Sequence, residues 1–171
     1  MKCWLDKKAL SALVTEGRRS YPKETGGNLL GYWSAEHEAV VTHIIGPGPA
    51  AVHSPVRFEP DANWQAEQIG LFYDAFDGRL TYLGDWHTHP SGPAFPSDLD
   101  VSCLKNIAAD AAARAPIPLM LILGGDCDRL EIFTLKDGLK FFSIQTFDFT
   151  DFRPQICPTF VPGYTPPTWT G

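Results

Sequence analysis

The stretch that most restricts how this chain can fold runs from residue 80 to residue 113. LTYLGDWHTH, residues 80–89, reads as a strand. PSGPAFP, residues 90–96, is too rich in Pro and Gly for regular structure. SDLDVSCLKNIAADAAA, residues 97–113, then reads as a helix with Ser97 as N-cap. Asp98 and Asp100 fall in its first turn, where the helix dipole favours negative charge. His87 and His89 stand at i and i+2, and strand side chains alternate between faces, so both imidazoles point the same way. The Pro/Gly loop is long enough to fold the helix start, with Asp100, back over the strand end. Two imidazoles and one carboxylate make three ligands for one metal. Three protein ligands leave a fourth position for water, the pattern of catalytic rather than structural zinc sites. Ser97, one turn from Asp100, is placed either to donate to a developing oxyanion or simply to cap the helix.

Elsewhere the pattern is that of a mixed domain. Asp6 caps a first helix with Leu10, Leu13 and Val14 on its apolar side, ended by Pro22. GGNLLGYW (26–33) and VVTHII (40–45) read as strands, GPGPAAVHSP (46–55) as a loop and VRF as a short strand. Asp61 caps a second helix through Phe76, with Trp64, Ile69, Phe72 and Phe76 as core candidates, and Asp77-Gly78 stops it. PLMLILGG (118–125) reads as a buried strand, and RLEIFTL and LKFFSIQTF as a hairpin around Asp137-Gly138. The order β-β-α-β-α-β-β-β after an initial helix predicts an α/β (α+β) fold. With 171 residues, 44% hydrophobic and 20% charged, one globular domain over residues 1–147 is expected. A Pro-rich C-terminal tail over residues 148–171 follows. Its Phe152, Phe160, Tyr164 and Trp169 suit either a disordered segment or a strap docked on the body, where it would regulate access to a substrate groove.

Composition removes several classes of function. A net charge of -6 without a Lys/Arg cluster argues against non-specific nucleic-acid binding. Cys3, Cys103, Cys127 and Cys157 include no CxxC pair, which argues against a cysteine zinc ribbon or a thioredoxin-like site. The N-terminal MKCWLDKKALSALV lacks an apolar signal core, and no apolar run suffices for a bilayer, so no membrane association and a reducing, cytoplasmic setting are expected.

An isolated HxH is weak evidence, but HxH-x7-SxxD arises in a shuffled chain of this composition only roughly once in two thousand tries. No histidine follows His89, as amidohydrolase barrels would need; no Asp-His pair follows HxH, as in metallo-β-lactamases. The HxE and PCxxC of zinc deaminases and the HExxH of zincins are absent.

HTHPSGPAFPSDLD, residues 87–100, resembles the JAMM signature of the MPN-domain metalloproteases, and KETGGNLLG, residues 23–31, resembles their Glu-bearing segment before the first core strand. The resemblance implies a cytidine-deaminase-like fold, a central mixed sheet flanked by helices. It implies Zn2+ held by His87, His89 and Asp100, Glu24 as general base and Ser97 as oxyanion helper. All five positions hold the expected residue types, unlike the non-catalytic MPN scaffold branch. Family members hydrolyse peptide or isopeptide bonds beside the C-terminus of ubiquitin-like proteins. YLGDWHTHP and FEPD (58–61) resemble the stand-alone prokaryotic proteins, most of all the deconjugating peptidases of CBASS anti-phage operons. There the expected partners are a cGAS-like nucleotidyltransferase joined through its C-terminus to a target, and an E2-like conjugating enzyme. Processing of small sulfur-carrier proteins and a non-catalytic MPN scaffold are the alternatives within the family.

Five further residues carry expectations. Trp86 faces away from the histidines and packs. Asp85, on the histidine face, either supports the site or is a solvated carboxylate. Cys103 reads as a small buried residue rather than a fourth ligand, and His53 and Arg57 as surface residues or substrate contacts.

Overall fold

The computed structural model describes residues 1–135 and 138–147. Asp137 of the expected turn, Cys157 and the Pro-rich tail lie outside the described residues. The chain forms β1 (Lys2–Asp6), α1 (Lys7–Ser20), β2 (Gly26–Ala35), β3 (Glu38–Ile45), β4 (Val52–Ser54), β5 (Arg57–Glu59), α2 (Ala62–Ala75) and β6 (Thr81–Pro90). These are followed by α3 (Asp98–Ala109), β7 (Leu119–Gly125), β8 (Arg129–Leu135), β9 (Leu139–Phe141) and β10 (Ser143–Phe147). Eight strands make one mixed sheet in the order β10-β1-β3-β2-β6-β7-β8-β9, and β4 and β5 form a separate hairpin. The expected mixed sheet flanked by helices is therefore the architecture found.

β6, which carries the histidines, lies inside the sheet, antiparallel to β2 and parallel to β7. Its alternation separates two cores. Trp86 and Leu121 pack with Ala9 and Leu13 of α1 on one face. Met120 and Ile122, which pair with Asp85 and His87 in register, pack with Leu104 of α3 on the other. α1 thus covers the face away from the histidines and α3 covers the face they point to. Asp6 caps α1 as expected, its carboxylate accepting from the Lys8 and Ala9 amides. The buried side of α1 is Ala9, Leu13 and Gly17, with Leu10 only partly buried.

Three departures have physical causes. The expected element order has no strand ahead of the first helix; β1 is one because it pairs in parallel with both β3 and β10, partners more than thirty residues away. The 139–147 segment is not one hairpin arm. Its first half, β9, pairs with β8 and its second half, β10, with β1, so a continuous run joins the two edges of the sheet. Between them the Phe142 amide donates to Ile132 O and the Ser143 amide to Met1 O. α3 ends at Ala109, short of the expected residue 113, because Asp110 closes it with bonds back to Asn106 and Ile107.

α2 is also shallower than expected. Trp64, Ile69, Phe72 and Phe76 are only half-buried, and the buried residue is Gln65, whose side-chain amide donates to Gly46 O at 2.8 Å. Phe72 and Phe76 instead hold the His43 ring between centroid distances of 5.2 and 5.3 Å. Burial lowers the His43 pKa, with Asp6 opposing. A histidine whose pKa is lower in the folded than in the unfolded state costs stability as pH falls through the unfolded value of about 6.5, because the unfolded chain then binds more protons. The Tm of the wild type should therefore drop more between pH 7.5 and pH 5 than that of His43→Gln. Parallel Tm–pH curves for the two proteins would remove His43 as the cause.

Candidate metal centre

Four local features bring the site together. Gly26 pairs directly with His87, and a side chain there would meet Trp86 O at 2.5 Å and His87 Cβ at 3.0 Å. A Cβ on Gly27 would lie 1.9 Å from Ile45 O, the atom that accepts the Trp86 indole N–H at 3.0 Å. The glycine pair thus lets the Glu24 segment lie against the histidine strand while Trp86, 1% exposed, is pinned on the opposite face. Thr88, between the two histidines, cross-links the strands. Its hydroxyl accepts from the Thr25 amide at 3.0 Å, and its amide donates to Thr25 O at 2.8 Å. The β4–β5 hairpin holds the other side, with the Glu24 amide donating to Ser54 O at 2.8 Å. The loop after β6 turns so that Pro93 O lies 3.1 Å from His89 Nδ1, which leaves His89 Nε2 pointing inward.

At the start of α3 the expected cap forms a reciprocal box. Ser97 Oγ accepts from the Asp100 amide at 3.2 Å, and Asp100 Oδ2 accepts from the Ser97 amide at 2.7 Å. The Ser97 hydroxyl also donates to Asp100 Oδ2 at 2.7 Å. Capping and alignment of Asp100 are therefore one arrangement. Ser97→Ala should lower stability by about 0.5–2 kcal/mol and weaken metal affinity by roughly 10–100-fold. Metal affinity equal to wild type in a competition titration would show that Ser97 does not align Asp100 for the metal.

His87 Nε2 and His89 Nε2 are 3.0 Å apart, and they lie 3.3 and 3.5 Å from Asp100 Oδ1 and Oδ2 respectively. These three residues are the only group of at least three His, Cys, Asp or Glu ligand atoms within 4.8 Å of one another among the described residues. Ligand atoms at about 2.0–2.1 Å from a tetrahedral zinc ion stand about 3.3 Å from each other, so the triangle matches the edge of such a site. Two imidazoles and one carboxylate also suit zinc among the common divalent ions.

Charge reinforces the geometry. Burial opposes ionisation of Asp100, but hydrogen bonds to His87 and His89 outweigh it and hold its pKa well below the usual carboxylate range. The same contact raises the His89 pKa. Glu24 lines the same cavity of about 640 Å³ as His87, His89, Ser97 and Asp100. Burial raises its pKa, while His89 and His87 pull it down, leaving a more basic carboxylate than a solvated one.

The structure also places the residues left open. Asp85 is held rather than solvated: Asn28 Nδ2 and the Tyr82 hydroxyl donate to its Oδ1 at 3.0 and 2.8 Å. Burial raises its pKa against those bonds. Cys103 corrects the expectation of a buried residue; it is exposed, lines the cavity and lies outside the ligand triangle, while its neighbour Leu104 is the buried one. Arg57 lines the cavity and pairs with Glu59. His53 Nδ1 lies 2.9 Å from Glu24 O, a contact its sequence context did not signal.

A large mixed sheet, a strand-end HxH and a helix-capping carboxylate within one cavity define a metallopeptidase-type site. Residues 6–136 match the family of prokaryotic homologs of the JAB domain, and the chain belongs to that family. It is 39% identical over 124 residues to the probable metalloprotease y4qB of Sinorhizobium fredii, covering 71% of this chain and 75% of that one. It is 33% identical over 101 residues to a CD-NTase/cGAS isopeptidase of Escherichia coli, covering 59% of this chain and 62% of that one. A CD-NTase/cGAS isopeptidase of Enterobacter hormaechei is 28% identical over 123 residues, covering 71% of this chain and 67% of that one. The solution structure of protein DSY2949 from Desulfitobacterium hafniense superposes with a TM-score of 0.62 at 25% identity, covering 85% of this chain and 93% of that one. The chain is a JAB-type metallopeptidase. No helix among the described residues is long and apolar enough to cross a membrane.

Proposed function

We propose that this metallopeptidase hydrolyses a peptide or isopeptide bond at the C-terminal end of a conjugated or ubiquitin-like protein, with Zn2+ held by His87, His89 and Asp100. The observation that carries the reading is that Glu24 lines the same cavity as the ligand triangle, with its carboxyl under the electrostatic influence of His89, His87 and Asp100. When bound, the ion supplies Lewis-acid polarisation of the scissile carbonyl and acidifies a water molecule. Glu24 takes a proton from the attacking water as its oxygen bonds to the carbonyl carbon, and returns it to the nitrogen as the C–N bond breaks. Ser97, whose hydroxyl turns from Asp100 for this step, donates to the oxygen that gains charge. The catalytic unit is residues 1–147, with 148–171 as a tail.

The substrate class rests on the relatives. Three relatives carry the name CD-NTase/cGAS isopeptidase, and the substrate proposed here is a CD-NTase joined through its C-terminus to another protein, with a role in antiviral defence. The test is a panel of fusions to one reporter: a CD-NTase C-terminus, a ubiquitin-like protein ending in Gly-Gly, and a small amide. Cleavage of the CD-NTase fusion alone supports the reading. Cleavage of the ubiquitin-like fusion alone moves the substrate to a carrier protein, and cleavage of only the small amide would end the proposal of a protein substrate.

A further inference from the structure

We infer that His53 is a positioning residue for Glu24, and that the β4–β5 hairpin sets where the Glu24 carboxylate stands. The inference rests on the reading of Glu24 as the base. Among the described residues no side chain hydrogen-bonds the Glu24 carboxylate, so its place is set through the backbone. That backbone is gripped on both sides. Toward the sheet, Thr25 exchanges hydrogen bonds with Thr88, between the two histidine ligands. Toward the hairpin, the Glu24 amide donates to Ser54 O at 2.8 Å and His53 Nδ1 lies 2.9 Å from Glu24 O.

A carbonyl oxygen only accepts, so the proton of that contact is on His53 Nδ1. The ring is itself fixed, lying 5.4 Å from the Phe58 ring centroid across the hairpin. Val56, Arg57 and Phe58 of the same hairpin line the cavity that holds the ligand triangle. Cavity wall and clamp on the base are therefore one short hairpin. A segment bound along the wall is mechanically joined to the Glu24 backbone through the Ser54 carbonyl and the His53 imidazole, the latter being the only side-chain link among the described residues. Displacement of a reacting group by about 1 Å lowers rate by roughly 10²-fold, so loss of this clamp should reach the chemical step with the metal centre intact.

Three variants test this: His53→Ala, His53→Asn and His53→Gln. An asparagine side-chain nitrogen occupies the place of Nδ1, whereas a glutamine nitrogen occupies the place of Nε2. Hydrogen exchange at the Glu24 amide is the first readout and needs no substrate. It should accelerate by roughly tenfold or more in His53→Ala and His53→Gln and return toward wild type in His53→Asn. The second readout is cleavage of the CD-NTase–reporter fusion. Its kcat should fall by about tenfold or more in the Ala and Gln variants, with KM and metal content little changed, and recover in the Asn variant. Wild-type exchange at Glu24 in His53→Ala, or a loss that asparagine does not restore, overturns the inference. If the fusion is not cleaved even by wild type, the exchange series alone decides. Glu24→Gln separates the two readings. If that variant turns over normally, the base assignment is wrong. If it is inactive while His53→Ala is fully active, only the clamp is wrong.

Discussion

Glu24→Gln should lower turnover by about 10²–10⁴-fold while metal content stays at the wild-type level. Glutamine keeps the shape of the side chain and cannot take a proton from water. The backbone contacts of residue 24 with Ser54 and His53 do not involve the side chain, so the fold should be indifferent to the change. Glu24 is also outside the ligand triangle, so metal binding should not depend on it. Wild-type turnover in this variant, measured on whichever fusion the native enzyme cleaves, would mean that the proton is handled elsewhere. Loss of metal together with activity would make Glu24 a ligand instead.

The second large effect is on the metal. Asp100→Ala and His87→Ala should each weaken binding by at least about 100-fold and cost activity in proportion, because the candidate ligand group among the described residues has three members and each variant removes one. Asp100 is the partner of both imidazoles, at 3.3 and 3.5 Å, and its loss leaves His87 Nε2 and His89 Nε2 facing each other at 3.0 Å with no anion between them. Asp100 also belongs to the capping box, so a drop in Tm is expected as well. Asp98→Ala is the control: it removes a carboxylate from the same helical turn but not from the triangle. Metal measured by elemental analysis and chelator competition should follow Asp100 and ignore Asp98. One firmly bound equivalent in Asp100→Ala, at unchanged affinity, would remove the residue from the site.

The site was more legible than the fold around it. Strand alternation placed His87 and His89 on one face, and the N-cap preference of Ser97 placed Asp100 in the first turn of α3; both rules act within a few residues. The same alternation put Trp86 on the far face, where it is buried. Misreadings arose wherever the deciding partner is distant. Nothing in KCWLD marks it as a strand until β3 and β10 lie on either side of it. Nothing in LKFFSIQTF shows that its two halves serve opposite edges of the sheet. The apolar residues of α2 suggested a core helix, yet the helix lies half-exposed over His43 and the cavity. Cys103 looked like a small buried residue, but α3 turns Leu104 inward instead.

Residue types and their spacing were enough to select His87, His89 and Asp100 as a converging group, because side-chain alternation and helix capping are properties of the local backbone. Only the tertiary structure decided what stands beside them. Thr25 and Thr88 are 63 positions apart, and their pairing brings Glu24 to the histidine strand. His53, 29 positions from Glu24, reaches its carbonyl only because Val52–Ser54, inside a segment that reads as loop, pairs with Arg57–Glu59 in a hairpin beside the cavity. Hydrogen bonds across such separations depend on which strands become neighbours, and that choice is made by the whole sheet at once.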